Sequence, residues 1–256
     1  MKIALIQAEL IWENPEANRV YFEEKINAIT DDVNLIVLPE MFTTGFTMNP
    51  SKVAETMTGE TVSWMQTLAK AKNAAITGSV VIKDNSNFYN RMLFVFPSGA
   101  IQFYDKRHLF TLAGEGKEYT AGDDKLIVDY LGWKICPFVC YDLRFPVFSR
   151  NVGKQYNLLL YVASWPKTRI KAWDTLLAAR AIENMSYVVA VNRVGADANG
   201  YEYVGHSQVI DMLGEQLVAP TEVEGTYIAT LDKVKLNETR VKLNFLNDQD
   251  TFVIKN

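Results

Sequence analysis

Short apolar runs alternate with amphipathic segments along the whole chain. The apolar runs are too short for helices and predict strands at residues 2–8, 35–38, 133–140, 158–163 and 187–192. Helical spacing of apolar positions predicts helices over residues 14–29 and 61–73, near 145–154, and over 173–184. The first helix has Asn14 at the N-cap and Pro15 at the first helical position. Because strands and helices alternate with a similar cadence in both halves, the pattern favours two sheets face to face with helices outside.

Turn residues separate the remaining segments. Three strands of a meander are predicted at residues 75–83, 91–96 and 101–105, and further strands at 125–130, 207–212 and 227–231, the last two about a turn at 213–215. The glycine-bearing segment 106–124 is predicted to be a functional loop, because loops of that length are uncommon in compact domains. No segment has the composition of a linker. Residues 1–256 are therefore interpreted as a single domain with a polar tail from about residue 244.

Three reactive side chains stand where apolar strands end. Glu40, Lys106 and Cys140 each terminate or follow such a strand and open a polar segment. Strand ends on one rim of a sheet converge, so a carboxylate, an ammonium and a thiol are expected to share one pocket. Each residue alone has a simpler explanation, since Glu40 and Lys106 could be solvated charges and most free cysteines are small buried hydrophobes. Their common placement strengthens the catalytic hypothesis.

These three residue types suit the cleavage of an amide. A free thiol with a pKa of about 8.5 is only a few per cent thiolate near neutrality, so Cys140 needs a base. A carboxylate such as Glu40 can take the thiol proton, deliver it to the leaving amine and then activate water. The Lys106 ammonium, together with backbone N–H groups in the turn after Cys140, can stabilise the oxyanion.

Composition narrows the alternatives. A net charge of −4 over 256 residues gives no basic footprint for nucleic acid or an anionic membrane surface. The two cysteines, Cys136 and Cys140, cannot form a disulfide framework, and no apolar stretch suits a signal peptide or a membrane span, so a reduced, cytoplasmic enzyme is expected. The two histidines lack metal-ligand spacing and no glycine-rich nucleotide motif is present, so neither a metal nor a cofactor is implied.

Six blocks of the sequence together resemble the nitrilase superfamily of carbon–nitrogen hydrolases. In order they are LPEMF at 38–42, YDKRHLF at 104–110, CYDLRFP at 140–146, ASWP at 163–166, RAIEN at 180–184 and NRVG at 192–195. Their order and spacing agree from residue 2 to about 231, and as a set the motifs are highly specific. The resemblance implies an α/β fold, the four-layer α-β-β-α sandwich of the nitrilase type. It also implies a homodimer that extends this sandwich.

The resemblance also implies roles for individual residues. Carried over by position, Glu40 is the general base, Lys106 the oxyanion partner and Cys140 the nucleophile that forms a thioester. The backbone N–H of Tyr141 is then the second oxyanion donor.

A second glutamate is expected in the loop that follows the lysine. Glu115 and Glu118 could both fill this place. Glu115 is preferred, because it stands seven residues before Gly122, the spacing expected in relatives. Either side chain could instead be a solvated loop carboxylate.

Within the superfamily the sequence most resembles bacterial omega-amidases, through residues 41–48 and 141–146. These enzymes hydrolyse the terminal amide of 2-oxoglutaramate or 2-oxosuccinamate, so the pocket needs a cation for the distant carboxylate. Arg144 is the candidate, since a guanidinium can hold a carboxylate with two parallel hydrogen bonds. A structural ion pair with Asp142 or Glu183 is the alternative.

Aromatic side chains are the candidates for the pocket wall. Phe42, Phe46, Tyr141 and Trp165 could surround a small-molecule amide and exclude water. Packing in the core is the alternative for each of them.

The sequence is also compatible with other functions. A nitrilase or an N-carbamoyl amine hydrolase would use the same three catalytic residues on a nitrile or a ureido group. A non-catalytic binding module on the same fold would release no ammonia. A metal-dependent phosphoesterase would need clustered Asp, Asn and His, which the sequence lacks.

Overall fold

The computed structural model describes residues 1–254, and fourteen strands are present in that part of the chain. They are β1 (Lys2–Gln7), β2 (Leu35–Val37), β3 (Ala75–Asp84), β4 (Asn87–Val95), β5 (Ile101–Asp105), β6 (Val128–Tyr130), β7 (Trp133–Val139), β8 (Leu158–Ala163), β9 (Tyr187–Asn192), β10 (Val194–Ala196), β11 (Glu202–Val204), β12 (Gln208–Ile210), β13 (Gln216–Val218) and β14 (Gly225–Thr230). The helices are α1 (Pro15–Asn27), α2 (Pro50–Val53), α3 (Glu60–Lys72), α4 (Glu115–Glu118), α5 (Pro146–Ser149), α6 (Ile170–Glu183) and α7 (Lys233–Lys242). None of these helices is long and apolar enough to cross a membrane.

The strands form two six-stranded sheets. The first has the order β14-β1-β2-β3-β4-β5 and the second the order β13-β12-β9-β8-β7-β6. In both sheets the central strands are parallel and the outer strands antiparallel. The central strands β2, β8 and β9 are buried along their whole length, which is why they are continuous apolar runs in the sequence.

The two sheets share one hydrophobic core, and helices cover their outer faces. Leu5 and Val37 from the first sheet belong to the same buried cluster as Phe138 and Val189 from the second. Helices α1 and α3 pack against the other face of the first sheet through Phe22, Ile26, Met65 and Leu68. Trp173, Leu177 and Ala181 anchor α6 to the second sheet. These layers confirm the four-layer α-β-β-α sandwich of the α/β class.

The first helix begins as its sequence predicts. The Asn14 side chain accepts a hydrogen bond from the Ala17 N–H at 3.1 Å, and Pro15 occupies the first helical position. This cap satisfies one of the N–H groups that have no partner within the helix.

The predicted helix near residues 145–154 is confirmed only for its first turn. Only α5 and a 3₁₀ turn over Val152–Lys154 form there, because Arg150 is extended with ψ 134° and Gly153 has a positive φ of 64°. The Asn151 side chain also hydrogen-bonds the carbonyls of Tyr156 and Asn184, which holds this segment as a loop.

The strands predicted at 207–212 and 227–231 are present, but the turn at 213–215 does not join them. The turn at 213–215 connects β12 to β13, while β14 pairs with β1 at the edge of the first sheet. The segment from residue 244 is also more than a polar tail, since a 3₁₀ turn over Phe245–Asn247 buries Leu246 in the shared core.

Candidate active site

Glu40, Lys106 and Cys140 meet at one rim of the sandwich. Glu40 follows β2, Lys106 follows β5 and Cys140 follows β7, so each stands just past the carboxyl end of its strand. The Lys106 Nζ lies 3.1 Å from Glu40 Oε1, and the Glu40 carboxylate is close enough to Cys140 to raise the pKa of its thiol. All three residues line the same cavity. The structure therefore brings together the three residues that the sequence singled out.

The Glu40 carboxylate is fully buried and held through both of its oxygens. Asn90 Nδ2 donates to Oε1 at 2.8 Å, and the backbone N–H of Ser164 donates to Oε2 at 2.8 Å. Asn90 belongs to β4 of the first sheet and Ser164 follows β8 of the second. The orientation of Glu40 is thus fixed from both sheets, which suits a group that must move a proton along one direction.

A second glutamate lies against the same lysine. Both carboxylate oxygens of Glu115 are 2.9 Å from Lys106 Nζ, and the Phe110 N–H donates to Oε2. Glu115 is fully buried at the start of α4, whereas Glu118 is exposed at its end. Of the two candidates in this loop, Glu115 occupies the position beside Lys106.

The Lys106 ammonium therefore forms ion pairs with two buried carboxylates. Burial alone would lower the pKa of Lys106, but Glu115 and Glu40 outweigh it and raise that pKa above its usual value. Burial raises the pKa of Glu115, and Glu40 adds to this while Lys106 opposes it. Taking charges out of water is costly unless they are paired and hydrogen-bonded, so this cluster is stable only as a complete set.

Cys140 lies on a strained turn that a buried carboxylate holds in place. Cys140 has a positive φ of 46° and begins a 3₁₀ turn over Cys140–Arg144. Asp142 accepts hydrogen bonds from the Tyr104 hydroxyl at 2.8 Å and from the Val139 N–H at 3.0 Å. It also contacts the backbone N–H of His108 at 3.0 Å and its Nδ1 at 2.7 Å. The hydrogen bonds of Asp142 therefore hold the turn from which Cys140 faces the cavity.

The cavity above these residues has a volume of about 520 Å³. Phe46, Tyr141, Arg144 and Trp165 lie in its wall. A cavity of this size admits a small molecule rather than a peptide chain.

The expectation that Phe42 lines the pocket is wrong. Its side chain is fully buried away from the cavity, with its ring centroid 5.5 Å from that of Phe22 and 5.9 Å from that of Trp64. Phe42 therefore belongs to the core beneath α1 and α3, which was its alternative explanation.

Arg144 points its guanidinium over an aromatic ring and has no carboxylate partner among residues 1–254. Its Cζ lies 5.0 Å from the ring centroid of Trp165. The two alternative partners are engaged elsewhere, since Asp142 holds the turn and Glu183 pairs with Arg180 at 3.0 Å.

Several residues of the site were not singled out from the sequence. Asn90 and Ser164 hold Glu40, and further wall residues are Met48, Phe110, Arg169, Asp197, Tyr201 and Tyr203. Asp197, Tyr201 and Tyr203 belong to the hairpin of β10 and β11 or its turn. Asn90 left a detectable signal, because a buried polar residue beside an apolar run in a strand is unusual.

Comparison with known proteins assigns the chain to a protein family. The sequence matches the carbon-nitrogen hydrolase family over residues 2–241. The chain belongs to this family.

Individual relatives cover almost the whole chain. It is 46% identical to the omega-amidase YafV of Escherichia coli strain K12 over 253 residues, which is 98% of each chain. It is 33% identical to the 2-oxoglutaramate amidase of Bacillus subtilis over 250 residues, which is 96% of each. Among solved structures, XC1258 from Xanthomonas campestris, a CN-hydrolase superfamily protein with an arsenic adduct in its active site, superposes with a TM-score of 0.97. That protein is 44% identical, and the match covers 100% of this chain and 99% of the other.

Proposed function

We propose that the chain is an omega-amidase that converts 2-oxoglutaramate or 2-oxosuccinamate to the oxo-diacid and ammonia through a thioester on Cys140. One observation carries this proposal: the cluster of Glu40, Lys106 and Glu115 lies beside Cys140, at a cavity whose wall also holds an arginine. This arginine, Arg144, has no ion-pair partner in residues 1–254. The cluster beside Cys140 has the groups that amide cleavage requires, and Arg144 suits a substrate with a remote carboxylate. The names of the relatives above support the same substrate class.

The first half of the reaction transfers the acyl group to the enzyme. As the Cys140 sulfur attacks the amide carbon, its proton passes to Glu40. The oxygen of the tetrahedral intermediate takes up negative charge, which the Lys106 ammonium and the Tyr141 N–H stabilise. Tyr141 is in the first turn of its 3₁₀ helix, where backbone N–H groups have no helical acceptor. Glu40 then protonates the nitrogen, the C–N bond breaks and ammonia leaves.

The second half returns the enzyme to its starting state. Glu40, again a carboxylate, takes a proton from water as the water oxygen attacks the thioester carbon. The same two donors stabilise the second oxyanion, the C–S bond breaks, and the sulfur regains the proton from Glu40. Glu115 acts throughout as a positioning residue, since it holds Lys106 through both carboxylate oxygens.

The substrate carboxylate is placed against Arg144. A guanidinium stacked on Trp165 has lost part of its conformational freedom, so its fork is preorganised for two hydrogen bonds to a carboxylate. Phe46 and Trp165 would then exclude water around the carbon chain of the substrate.

Release of ammonia tests this function directly. Wild type and Cys140→Ala are compared on 2-oxoglutaramate, 2-oxosuccinamate, a simple nitrile and an N-carbamoyl amine. We expect turnover of the two oxo-acid amides by wild type, no turnover by Cys140→Ala, and the same melting temperature for both proteins. Preferential turnover of the nitrile or the carbamoyl amine would replace the substrate assignment but keep the catalytic residues. Absence of turnover on all four compounds would favour a binding module.

We further propose that the enzyme is a homodimer in the cytoplasm. Support for the dimer comes from apolar side chains at the surface, namely Ile182 on α6 and Leu213 in the turn after β12, which are about half exposed. Light scattering on the purified protein measures the oligomeric state. We expect twice the mass of one chain.

A further inference from the structure

We propose that Arg169 is a second anion-binding residue of the cavity and that, with Arg144, it selects 2-oxo acid amides over the corresponding 2-amino acid amides. The inference rests on the proposed omega-amidase function and adds the residue that sets its specificity. Four features carry it: the position of Arg169, its lack of an anionic partner in residues 1–254, its hydrogen bond with Trp165, and the hydrogen-bonding chemistry of the two guanidinium groups.

Both guanidinium groups belong to the wall of the same cavity, and each lies over an aromatic ring. Arg144 Cζ is 5.0 Å from the Trp165 centroid, and Arg169 Cζ is 5.1 Å from the Phe110 centroid. An aromatic face holds a guanidinium without using its N–H donors. Both forks are therefore oriented and still free to bind an acceptor.

In residues 1–254 neither arginine has a carboxylate within ion-pair distance, in contrast to two arginines that are buried in the fold. Arg91 is 2.7 Å from Asp105, and Arg180 is 3.0 Å from Glu183. This end of the cavity thus offers two unneutralised cations.

Two carboxylates lie among the described wall residues, Glu40 near Cys140 and Asp197. Asp197 is the one that could neutralise the charge of the two arginines. Its Oδ2 accepts from the Tyr203 hydroxyl at 2.8 Å, and its Oδ1 accepts from the N–H groups of Asn199 and Tyr201 at 2.9 and 3.0 Å. Asp197 is therefore committed to the turn between β10 and β11.

Trp165 couples the positions of the two arginines. The face of its ring lies beneath Arg144, while its Nε1 donates to the backbone carbonyl of Arg169 at 2.9 Å. Arg169 ends the 3₁₀ turn Lys167–Arg169, from which α6 continues. A single indole ring therefore contacts the guanidinium of Arg144 and the backbone of Arg169, which is an arrangement expected of one subsite rather than of two unrelated surface charges.

The chemistry of two forks matches a 2-oxo acid. Its carboxylate and adjacent carbonyl present three acceptor oxygens and no donor, and guanidinium groups present only donors. In the 2-amino acid amide glutamine, an ammonium replaces that carbonyl. It would place a third positive charge beside Arg144 and Arg169 and would find no acceptor on them. Discrimination then comes from repulsion of the wrong substrate as well as from attraction of the right one.

The test compares kcat/KM for 2-oxoglutaramate and for glutamine in wild type, Arg169→Gln and Arg169→Lys. Removal of hydrogen bonds to a charged group costs roughly 10- to 100-fold, so we expect Arg169→Gln to lower kcat/KM for 2-oxoglutaramate by about that factor, mainly through KM. Glutamine should lose far less, so the ratio of the two values falls. Arg169→Lys keeps the charge without the planar fork and should lie between wild type and Arg169→Gln.

Lys171→Gln is the matched control. Lys171 is two residues away and exposed on α6, so its substitution removes the same charge from the same region. It shares a neighbouring surface groove with both arginines but does not belong to the wall of the cavity that holds Cys140. We expect wild-type values for both substrates. If Arg169→Gln keeps the wild-type ratio, or lowers both substrates equally, the inference about Arg169 is wrong while the omega-amidase assignment stands. If wild type fails to hydrolyse 2-oxoglutaramate, the proposed function itself fails. Arg169→Lys decides the question if Arg169→Gln does not fold.

Discussion

The thiol of Cys140 lies in surroundings that oppose its ionisation. Burial raises the pKa of this thiol, and the neighbouring carboxylate of Glu40 raises it further, while Lys106 acts in the opposite direction. Lys106 stabilises the thiolate only weakly, because two carboxylates already form ion pairs with its ammonium. The raised pKa therefore favours a neutral thiol, and in the mechanism proposed above its proton passes to Glu40 as the sulfur attacks the substrate. This differs from cysteines that are kept as thiolates by a cation or a helix N-terminus.

A pH titration checks this conclusion. Because its pKa is raised, the thiol keeps its proton through the neutral range, and the thiolate forms only as the pH rises above the usual midpoint of about 8.5. The ultraviolet absorbance of the thiolate is measured in wild type and in Cys140→Ala, and the difference between the two curves isolates Cys140. Cys136 is present in both proteins and cancels. A midpoint clearly below that of a free thiol would show a resting thiolate and contradict the neutral state.

Residue types could be read from the sequence, but the directions of side chains could not. The positions of Glu40, Lys106 and Cys140 followed from strand ends and motif blocks, which are local features. Phe42 and Phe46 are both aromatic and four residues apart, yet Phe42 packs against α1 and α3 while Phe46 faces the cavity. That difference depends on contacts with Phe22 and Trp64, which come from distant segments.

At the scale of the element, Asp142 attaches the 3₁₀ turn Cys140–Arg144 to three other segments of the chain. This buried carboxylate joins the turn to β5, β7 and the segment after Lys106 through Tyr104, Val139 and His108. The imidazole of His108 also stacks on Phe145, with centroids 3.7 Å apart. The acceptor role of Asp142 therefore connects the stability of the fold to the position of the nucleophile.

Asp142→Ala tests that connection. Two buried donors, the Tyr104 hydroxyl and the Val139 N–H, and the part-buried N–H of His108 would lose their acceptor. Each unsatisfied group costs about 1–3 kcal/mol, so we expect a loss of about 3 kcal/mol or more in the free energy of unfolding. We also expect kcat to fall, because Cys140 is no longer held. Urea unfolding followed by circular dichroism measures the first effect. Asp129→Ala serves as the control, since Asp129 forms an exposed pair with Lys134 and should cost less than about 1 kcal/mol. Equal stability of the two variants would contradict the role of Asp142.

The elements that the sequence failed to predict are those whose partners are distant or whose pattern is weak. β13 has only three residues, Gln216–Val218, none of them buried, so it has no apolar alternation to detect. β14 was visible as a strand, but it pairs with β1 at the other end of the chain. Strand existence follows from local pattern, whereas strand pairing is decided by the global packing of the sheets.

At the scale of the whole molecule, the active site joins the two sheets. Glu40 and Lys106 follow strands of the first sheet, and Cys140 and Ser164 follow strands of the second. The hydrogen bond from the Ser164 N–H to Glu40 crosses between them. Because both sheets contribute to one shared core, the catalytic geometry is expected to exist only when the complete sandwich is folded.

Cys136 offers a way to measure whether the sandwich opens as one unit. It is fully buried in the shared core, whereas Cys140 lines the cavity, so in Cys140→Ala the remaining thiol reports on the core alone. We expect a thiol reagent to label Cys136 only through global unfolding. The free energy of opening obtained from labelling rates at several urea concentrations should then equal that from circular dichroism, with the same dependence on urea. A smaller value with a weak urea dependence would mean that the second sheet opens locally. In that case Cys140 and Ser164 could separate from Glu40 without unfolding of the whole chain.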